Sequence, residues 1–218
     1  MLEEVYLEKE REYFSNVRMD IVDFIKDRKN LKILEIGGGK GNTLLYLKEK
    51  GIASEIHLID IVDITEHKDK FDSIKILDIE NNLPDGFTKY DIIILADVLE
   101  HLKMPEDVVY KLKEYLVDNG SFLVSLPNIR HYSALVKIFI KGSFKYEDEG
   151  IFDRTHFRFF CKSDMIALFN SQKDLKIKAI VPNNKIIKSK ATIINKITLG
   201  LLTQFFTSQF LFRIKKEG

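Results

Sequence analysis

The sequence predicts an α/β fold: a doubly wound, mostly parallel sheet of seven strands with helices on both faces. Three observations predict it. Short apolar runs alternate with stretches of helical spacing through the first 128 residues. The run at 91–95 is almost continuous Ile and Leu, the pattern of a strand covered on both faces. A glycine cluster, Gly37-Gly38-Gly39-Lys40-Gly41, stands between one apolar run and the helical stretch after it.

Each element follows in order. Val17, Ile21, Phe24 and Ile25 recur at helical spacing, so 17–27 reads as an amphipathic helix. Residues 31–36 form the first strand. After the glycines, Asn42 is placed to cap a helix carrying Leu44, Leu45 and Leu47, which Gly51 stops. Strands follow at 55–60, 74–77 and 91–95. Pro105 suits the first turn of a helix, with Glu106 and Asp107 at its positive end. Val108, Val109, Leu112 and Leu116 form its inner stripe, and Gly120 ends it. A fifth strand occupies 121–125, closed by Leu126-Pro127-Asn128. Residues 129–160, rich in aromatics, His and Arg, break the rhythm and read as an insertion over the carboxyl edge of the sheet. Ser163 opens a helix to Asn170, 175–181 alternates as a strand, 184–200 reads as a helix and 208–215 as the last strand. The chain reads as one domain over 1–218, with 129–160 a substrate-side insertion and 184–206 an insertion before the last strand.

Composition narrows the classes. The 218 residues include 45% hydrophobic and 31% charged side chains, an ordinary globular balance able to bury a core. A net charge of +1 argues against a nucleic-acid surface. One cysteine, Cys161, excludes an internal disulfide framework and points to a reducing, cytoplasmic setting. The acidic start Met1-Leu2-Glu3-Glu4 has no apolar signal core. No uncharged apolar run reaches the roughly 20 residues of a spanning helix. Stable membrane insertion is not expected, whereas the aromatic stretch 197–212 with Lys196, Arg213, Lys215 and Lys216 around it leaves a weak membrane-surface association open. The oligomeric state stays open.

In an open α/β sheet, ligands bind beyond the carboxyl ends of the strands. The sequence Glu35-x-Gly37-x-Gly39-x-Gly41 sits at such an end. Asp60 closes the second strand, where a carboxylate can accept both hydroxyls of a ribose. A nicotinamide dinucleotide is the rival ligand, but that fingerprint wants glycine or alanine where Asn42 stands. Glu35 also suits an ammonium-bearing ligand better than a pyrophosphate, which it would repel.

The stretch Leu34-Glu35-Ile36-Gly37-Gly38-Gly39-Lys40-Gly41-Asn42 resembles the first motif of class I S-adenosylmethionine-dependent methyltransferases. Asp78-Ile79, the stretch 90–102 and Gly120 to Asn128 resemble later motifs of that family in order and spacing. Gly38 departs from the pattern, since many members carry cysteine or serine there. The resemblance implies a Rossmann-like fold, S-adenosyl-L-methionine as cofactor and S-adenosyl-L-homocysteine as product. It implies that Glu35, Gly37, Gly38 and Gly39 line the methionine portion and that Asp60 holds the ribose. Ile61, Asp78 and Ile79 would surround the adenine, and Ala96, Asp97, Val98 and His101 would wall the sulfonium.

An oxygen acceptor must lose a proton, and histidine is the commonest helper. His101, His131 and His156 are the catalytic candidates, the last two within the insertion. Arg130, His131, Arg154, His156 and Arg158 are the substrate-side candidates, because guanidinium forks suit phosphate or carboxylate. Near the N-terminus, Tyr13 could shield the sulfonium and Arg18 could meet a carboxylate, beside the plainer reading of helix packing. The segments 127–131, 142–146, 150–160 and 209–212 resemble a bacterial group of methyltransferases associated with surface-polysaccharide synthesis. That implies O-methylation of a sugar, sugar nucleotide or glycan. A small metabolite, lipid-like or protein acceptor, and a cofactor-binding module that transfers nothing, remain as alternatives. Nothing in the spacing of Asp97, His101 and Asp153 demands a metal, and no metal ligand is assigned.

Overall fold

The computed structural model describes residues 16–83, 88–183 and 202–218. Its seven strands are β1 (Leu31–Ile36), β2 (Ala53–Asp60), β3 (Ser73–Ile76), β4 (Tyr90–Ala96), β5 (Leu116–Pro127), β6 (Leu175–Asn183) and β7 (Gln209–Lys216). They form one sheet in the order β3-β2-β1-β4-β5-β7-β6. Pairings from β3 through β5 are parallel, and β7 runs antiparallel to both neighbours. The strand order reverses at β1, so the crevice beyond β1 and β4 is the place where this topology admits a ligand.

Six described α-helices accompany the strands: α1 (Met19–Val22), α2 (Asn42–Glu49), α3 (Pro105–Leu112), α4 (Tyr132–Leu135), α5 (Lys162–Asn170) and α6 (Thr203–Phe206). Strand pleating divides the core into two layers. Ile92 and Ile94 face Ile21, Ile25, Leu44 and Leu47 of the α1–α2 side. Ile93 and Leu95 face Val108, Val109 and Leu112 of α3 and Met165, Leu168 and Phe169 of α5. Alternate residues of β4 are thus buried in opposite directions, which is why its sequence is apolar throughout. None of the described helices is long and apolar enough to cross a membrane.

The sequence-based boundaries shift at four places. Beyond α1 the chain runs on as turns with bonds from residue i to i−3, such as Phe24 to Ile21 and Ile25 to Val22, so the expected helix tightens after one turn. Gly41, at φ +74°, is the cap of α2, and Asn42 is its first residue. A Cβ at Gly41 would lie 2.5 Å from the Phe71 ring, so no other residue caps here without moving that ring. Helix α3 stops at Leu112, and β5 has begun by Leu116, opposite Tyr90. Gly120 lies inside β5, where a Cβ would meet the Val117 carbonyl at 2.9 Å, and the strand register shifts between Tyr90 and Ile92. Cys161, not Ser163, caps α5, in a reciprocal box with Asp164. Of the segment 184–206, residues 184–201 lie outside the described residues, as does Tyr13.

Candidate functional site

The strands of the parallel part end side by side. Gly37 N donates to the Ile59 carbonyl at 2.8 Å, so the glycine turn leaves the sheet still bound to β2. Gly37 and Gly39 have φ of +69° and +57°, a region that disfavours side chains. A Cβ on Gly37 would come within 2.8 Å of Val98, and one on Gly38 within 2.8 Å of both the Glu35 carboxyl and Leu58. The turn is therefore a backbone cradle with a carboxylate directly beneath it.

That carboxylate is buried, and its Oε2 has no hydrogen-bond partner. Burial pushes the Glu35 carboxyl up to about 7; the Arg18 charge opposes this and the Asp60 charge adds to it. A buried oxygen without a partner carries a desolvation cost that a hydrogen-bond donor would relieve. Asp60 is buried at the tip of β2. Its Oδ2 accepts from Gly39 N at 2.8 Å and its Oδ1 from Val62 N at 3.1 Å. Burial raises the Asp60 pKa, and the backbone donors of Val62, Gly39 and Ile61 oppose that rise. Asp78, after β3, accepts from Glu80 N and from the Asn81 amide, so it also ties a turn. Ile61 is half-buried nearby and Ile79 is buried in the α3–α5 layer.

Beyond β4, Ala96 and Val98 flank Asp97, a non-glycine residue at φ +58°. Its carboxylate receives Arg18 Nη1 at 2.7 Å, the Ser125 hydroxyl at 2.9 Å and the Gln209 amide. Arg18 is shared with Asp20 at 2.8 Å. Burial works against the guanidinium charge, but the Asp97 and Asp20 carboxylates prevail and hold its pKa above the ordinary value. Thus Arg18 meets a protein carboxylate, and the start of α1, β4, β5 and β7 converge on Asp97.

The next turn holds Glu100 and His101. Glu100 is buried, and its Oε2 has no hydrogen-bond partner. Burial, with the charges of Asp97 and Asp153, lifts its pKa well above the carboxylate range against the pull of Arg18. The Glu100 carbonyl accepts from Phe157 N at 2.9 Å and Arg158 N at 3.0 Å, which pins the 129–160 insertion to the end of β4. His101 and His156 meet edge to face, with centroids 4.6 Å apart. The two candidates, remote in sequence, thus share one position.

The other substrate-side candidates disperse. His131 caps α4 through Ser133, and burial lowers its pKa. Arg130 donates to Gln204 Oε1 at 3.0 Å and lies over the Phe205 ring. Arg154 pairs with Asp148, and Arg158 donates to the Lys103 carbonyl at 3.0 Å. Inside the insertion is a cavity of about 570 Å³ lined by His131, Ser133, Lys137, Lys141, Lys145 and Ile151, among others. The Ile151 carbonyl on its wall accepts from His156 Nδ1 at 3.0 Å, so the cavity lies one hydrogen bond from the histidine pair. Sequence reasoning missed Glu100 and these lysines. A glutamate next to a histidine just past a buried strand was the available signal for the first; the lysines carried none.

Residues 6–175 match the family model described as methyltransferase domain. No curated protein sequence matches the chain. Among solved structures, a SAM-dependent methyltransferase from Archaeoglobus fulgidus is similar at TM-score 0.60 and 20% identity, covering 99% of this chain and 98% of that one. A plantazolicin methyltransferase, solved with a triazolic desmethylPZN analog and SAH, is similar at TM-score 0.64 and 15% identity, over 99% and 89%. The [4+2]-cyclase SpnF is similar at TM-score 0.61 and 10% identity, over 91% and 80%. At these identities the likeness is one of fold.

Proposed function

The chain belongs to the methyltransferase-domain family, and from that premise we propose that it O-methylates a sugar, sugar nucleotide or glycan with S-adenosyl-L-methionine as donor. The cofactor, when bound, supplies an electrophilic methyl group on sulfur. The orphaned, buried Glu35 oxygen under a side-chain-free glycine turn fits its ammonium group. Gly37, Gly38 and Gly39 offer the backbone against its methionine portion. Asp60 offers a buried carboxylate to the ribose hydroxyls, while Ile61, Asp78 and Ile79 take the adenine. Ala96, Asp97, Val98 and His101, at the end of β4, would line the side from which the acceptor approaches the methyl group.

The observation that carries the acceptor class is the lysine-lined cavity next to His156. Lys141 and Lys145 suit the phosphates or acidic groups of a sugar nucleotide or acidic glycan, while Lys137 is paired with Glu147 on the same wall. His131 and His156 keep their substrate-side role in this proposal. Arg130, Arg154 and Arg158 direct donors to protein oxygens and act chiefly by holding the insertion in place. A second reading, a cofactor-binding module that transfers no methyl group, draws support from the cyclase that shares the fold.

Calorimetric titration with S-adenosylhomocysteine, with NAD as comparison, tests the cofactor. Saturable binding of the first alone is expected; binding of NAD alone would overturn the proposal. Product formation across a panel of sugar nucleotides then separates the two readings. Methylation of none of them, nor of any glycan offered, by a protein that binds S-adenosylhomocysteine would favour the module.

A further inference from the structure

We propose that Glu100, His101 and His156 form a binding site for a divalent transition-metal ion of the zinc, nickel or iron(II) kind. One ligand atom from each of the three lies within 4.8 Å of the other two. At tetrahedral geometry with bonds of about 2.1 Å, ligands to one ion stand roughly 3.4 Å apart, so rotations of about an ångström close the site. Two imidazoles with one carboxylate leave coordination positions open and select these ions over magnesium or calcium, which prefer oxygen alone.

Two features set this cluster apart from a chance gathering. Both rings are held from behind in the manner of metal-ligating histidines. His101 Nδ1 lies 3.1 Å from the Thr155 carbonyl and His156 Nδ1 lies 3.0 Å from the Ile151 carbonyl. A carbonyl only accepts, so in the neutral ring each Nδ1 is the protonated nitrogen, the tautomer in which Nε2 can ligate a metal. The third member is Glu100, a buried carboxylate whose Oε2 has no hydrogen-bond partner. Asp97 and Asp153 add negative charge around it, with Arg18 the opposing cation. A bound cation gives that buried oxygen its partner.

The position also gives the ion a role. The cluster lies between Asp97, at the end of β4, and Ile151, on the wall of the lysine-lined cavity. An ion here would hold an oxygen of the acceptor at the boundary between the two. This role rests on the methyl-transfer reading, whereas the binding site itself does not. His101 and His156 would then act as ligands rather than as bases.

The test is titration of the metal-stripped protein with Zn²⁺, Ni²⁺ and Co²⁺, with Mg²⁺ for comparison, followed by calorimetry and by the visible spectrum of Co²⁺. One saturable site is expected, with Co²⁺ absorption showing nitrogen and oxygen ligands, and much weaker binding of Mg²⁺. Glu100→Gln and His156→Ala should each weaken Zn²⁺ binding by at least tenfold, on the order of ligand-shell effects. His67→Asn, at an exposed histidine, should leave it unchanged. Should a buried variant fail to fold, His101→Ala carries the same expectation. No saturable site, equal binding of Mg²⁺, or affinity indifferent to all three substitutions would overturn the proposal. S-adenosylhomocysteine binding is measured on the same samples. Metal binding without it would remove the catalytic role alone, and the converse would remove the metal site alone.

Discussion

The cofactor-side edge and the 129–160 insertion are built on different principles. At the edge, the glycine turn, Asp60 and Asp97 stand on the ends of paired strands, and the backbone does much of the fixing. Gly37 bonds Ile59, and Asp60 bonds Gly39 and Val62. In the insertion, a short helix α4, a π-turn over Val136–Ile140 and isolated bridges replace the sheet. An aromatic group of Phe144, Tyr146, Phe152 and Phe159 packs there, with Phe144 and Tyr146 half exposed. A rigid edge suits a ligand common to a whole family, and a side-chain-built lid suits an acceptor particular to one member. Asp97 and Glu100, one turn apart, join the two regions.

Substitutions on the two sides should have separable effects. Asp60→Ala removes a buried charged acceptor that also holds Gly39. S-adenosylhomocysteine affinity should fall roughly ten- to hundredfold, the range of charged hydrogen bonds of about 1.5–3 kcal/mol. His156→Ala should leave that affinity within about twofold and lower methyl transfer instead. Calorimetry on both variants checks this, and equal losses of affinity would erase the division between the two sides.

The two regions also differ in how readily they are read from sequence. The parallel core was legible because β1 and β4 bury both faces and so spell themselves in Ile and Leu, while Gly37 and Gly39 follow a strand end fixed by that spelling and Asp60 closes the half-buried β2. Boundaries were less legible where a tertiary contact decides them. Gly41 caps α2 because Phe71 lies across it, and β5 starts before Gly120 because Tyr90 pairs with Leu116. The meeting of His101 with His156 depends on Phe157 and Arg158 bonding the Glu100 carbonyl, a backbone contact without any residue-type signature. The arginines of the insertion suggested an anion site by their chemistry. Their partners Gln204, Asp148 and the Lys103 carbonyl are tertiary facts, and the cavity itself presents lysines.

Glu35 makes the strand-end side respond to pH. Its pKa is pushed from 4.5 up to about 7 in the protein alone, mainly by burial. Between those values the folded chain keeps a proton that the unfolded chain releases. Glu35 therefore makes stability fall as pH rises through this window and level off above about 7. A ligand ammonium at Oε2 favours the ionised form, so binding below pH about 7 must expel the proton. S-adenosylhomocysteine affinity should rise about tenfold between pH 6 and 8, with proton release measurable at pH 6 in buffers of different ionisation enthalpy. Glu35→Gln should flatten the profile. An unchanged profile in that variant would show that the ammonium is held elsewhere.

The smallest effect is expected on the far side, at Lys141, which lines the cavity from an exposed position. A solvated lysine facing an anionic group contributes less than about 1 kcal/mol, and salt screens it. Lys141→Ala should raise the KM for a phosphate-bearing acceptor only a few fold, leave kcat unchanged and leave S-adenosylhomocysteine binding untouched. The distinguishing measurement is ionic strength. The wild-type advantage should shrink as salt rises from 50 to roughly 500 mM, where the screening length falls to a few ångströms. An advantage indifferent to salt would mean that Lys141 shapes the cavity rather than attracting charge. The acceptor class would then have to be sought among neutral hydroxyl compounds, with the half-exposed Phe144 and Tyr146 as the recognising surface.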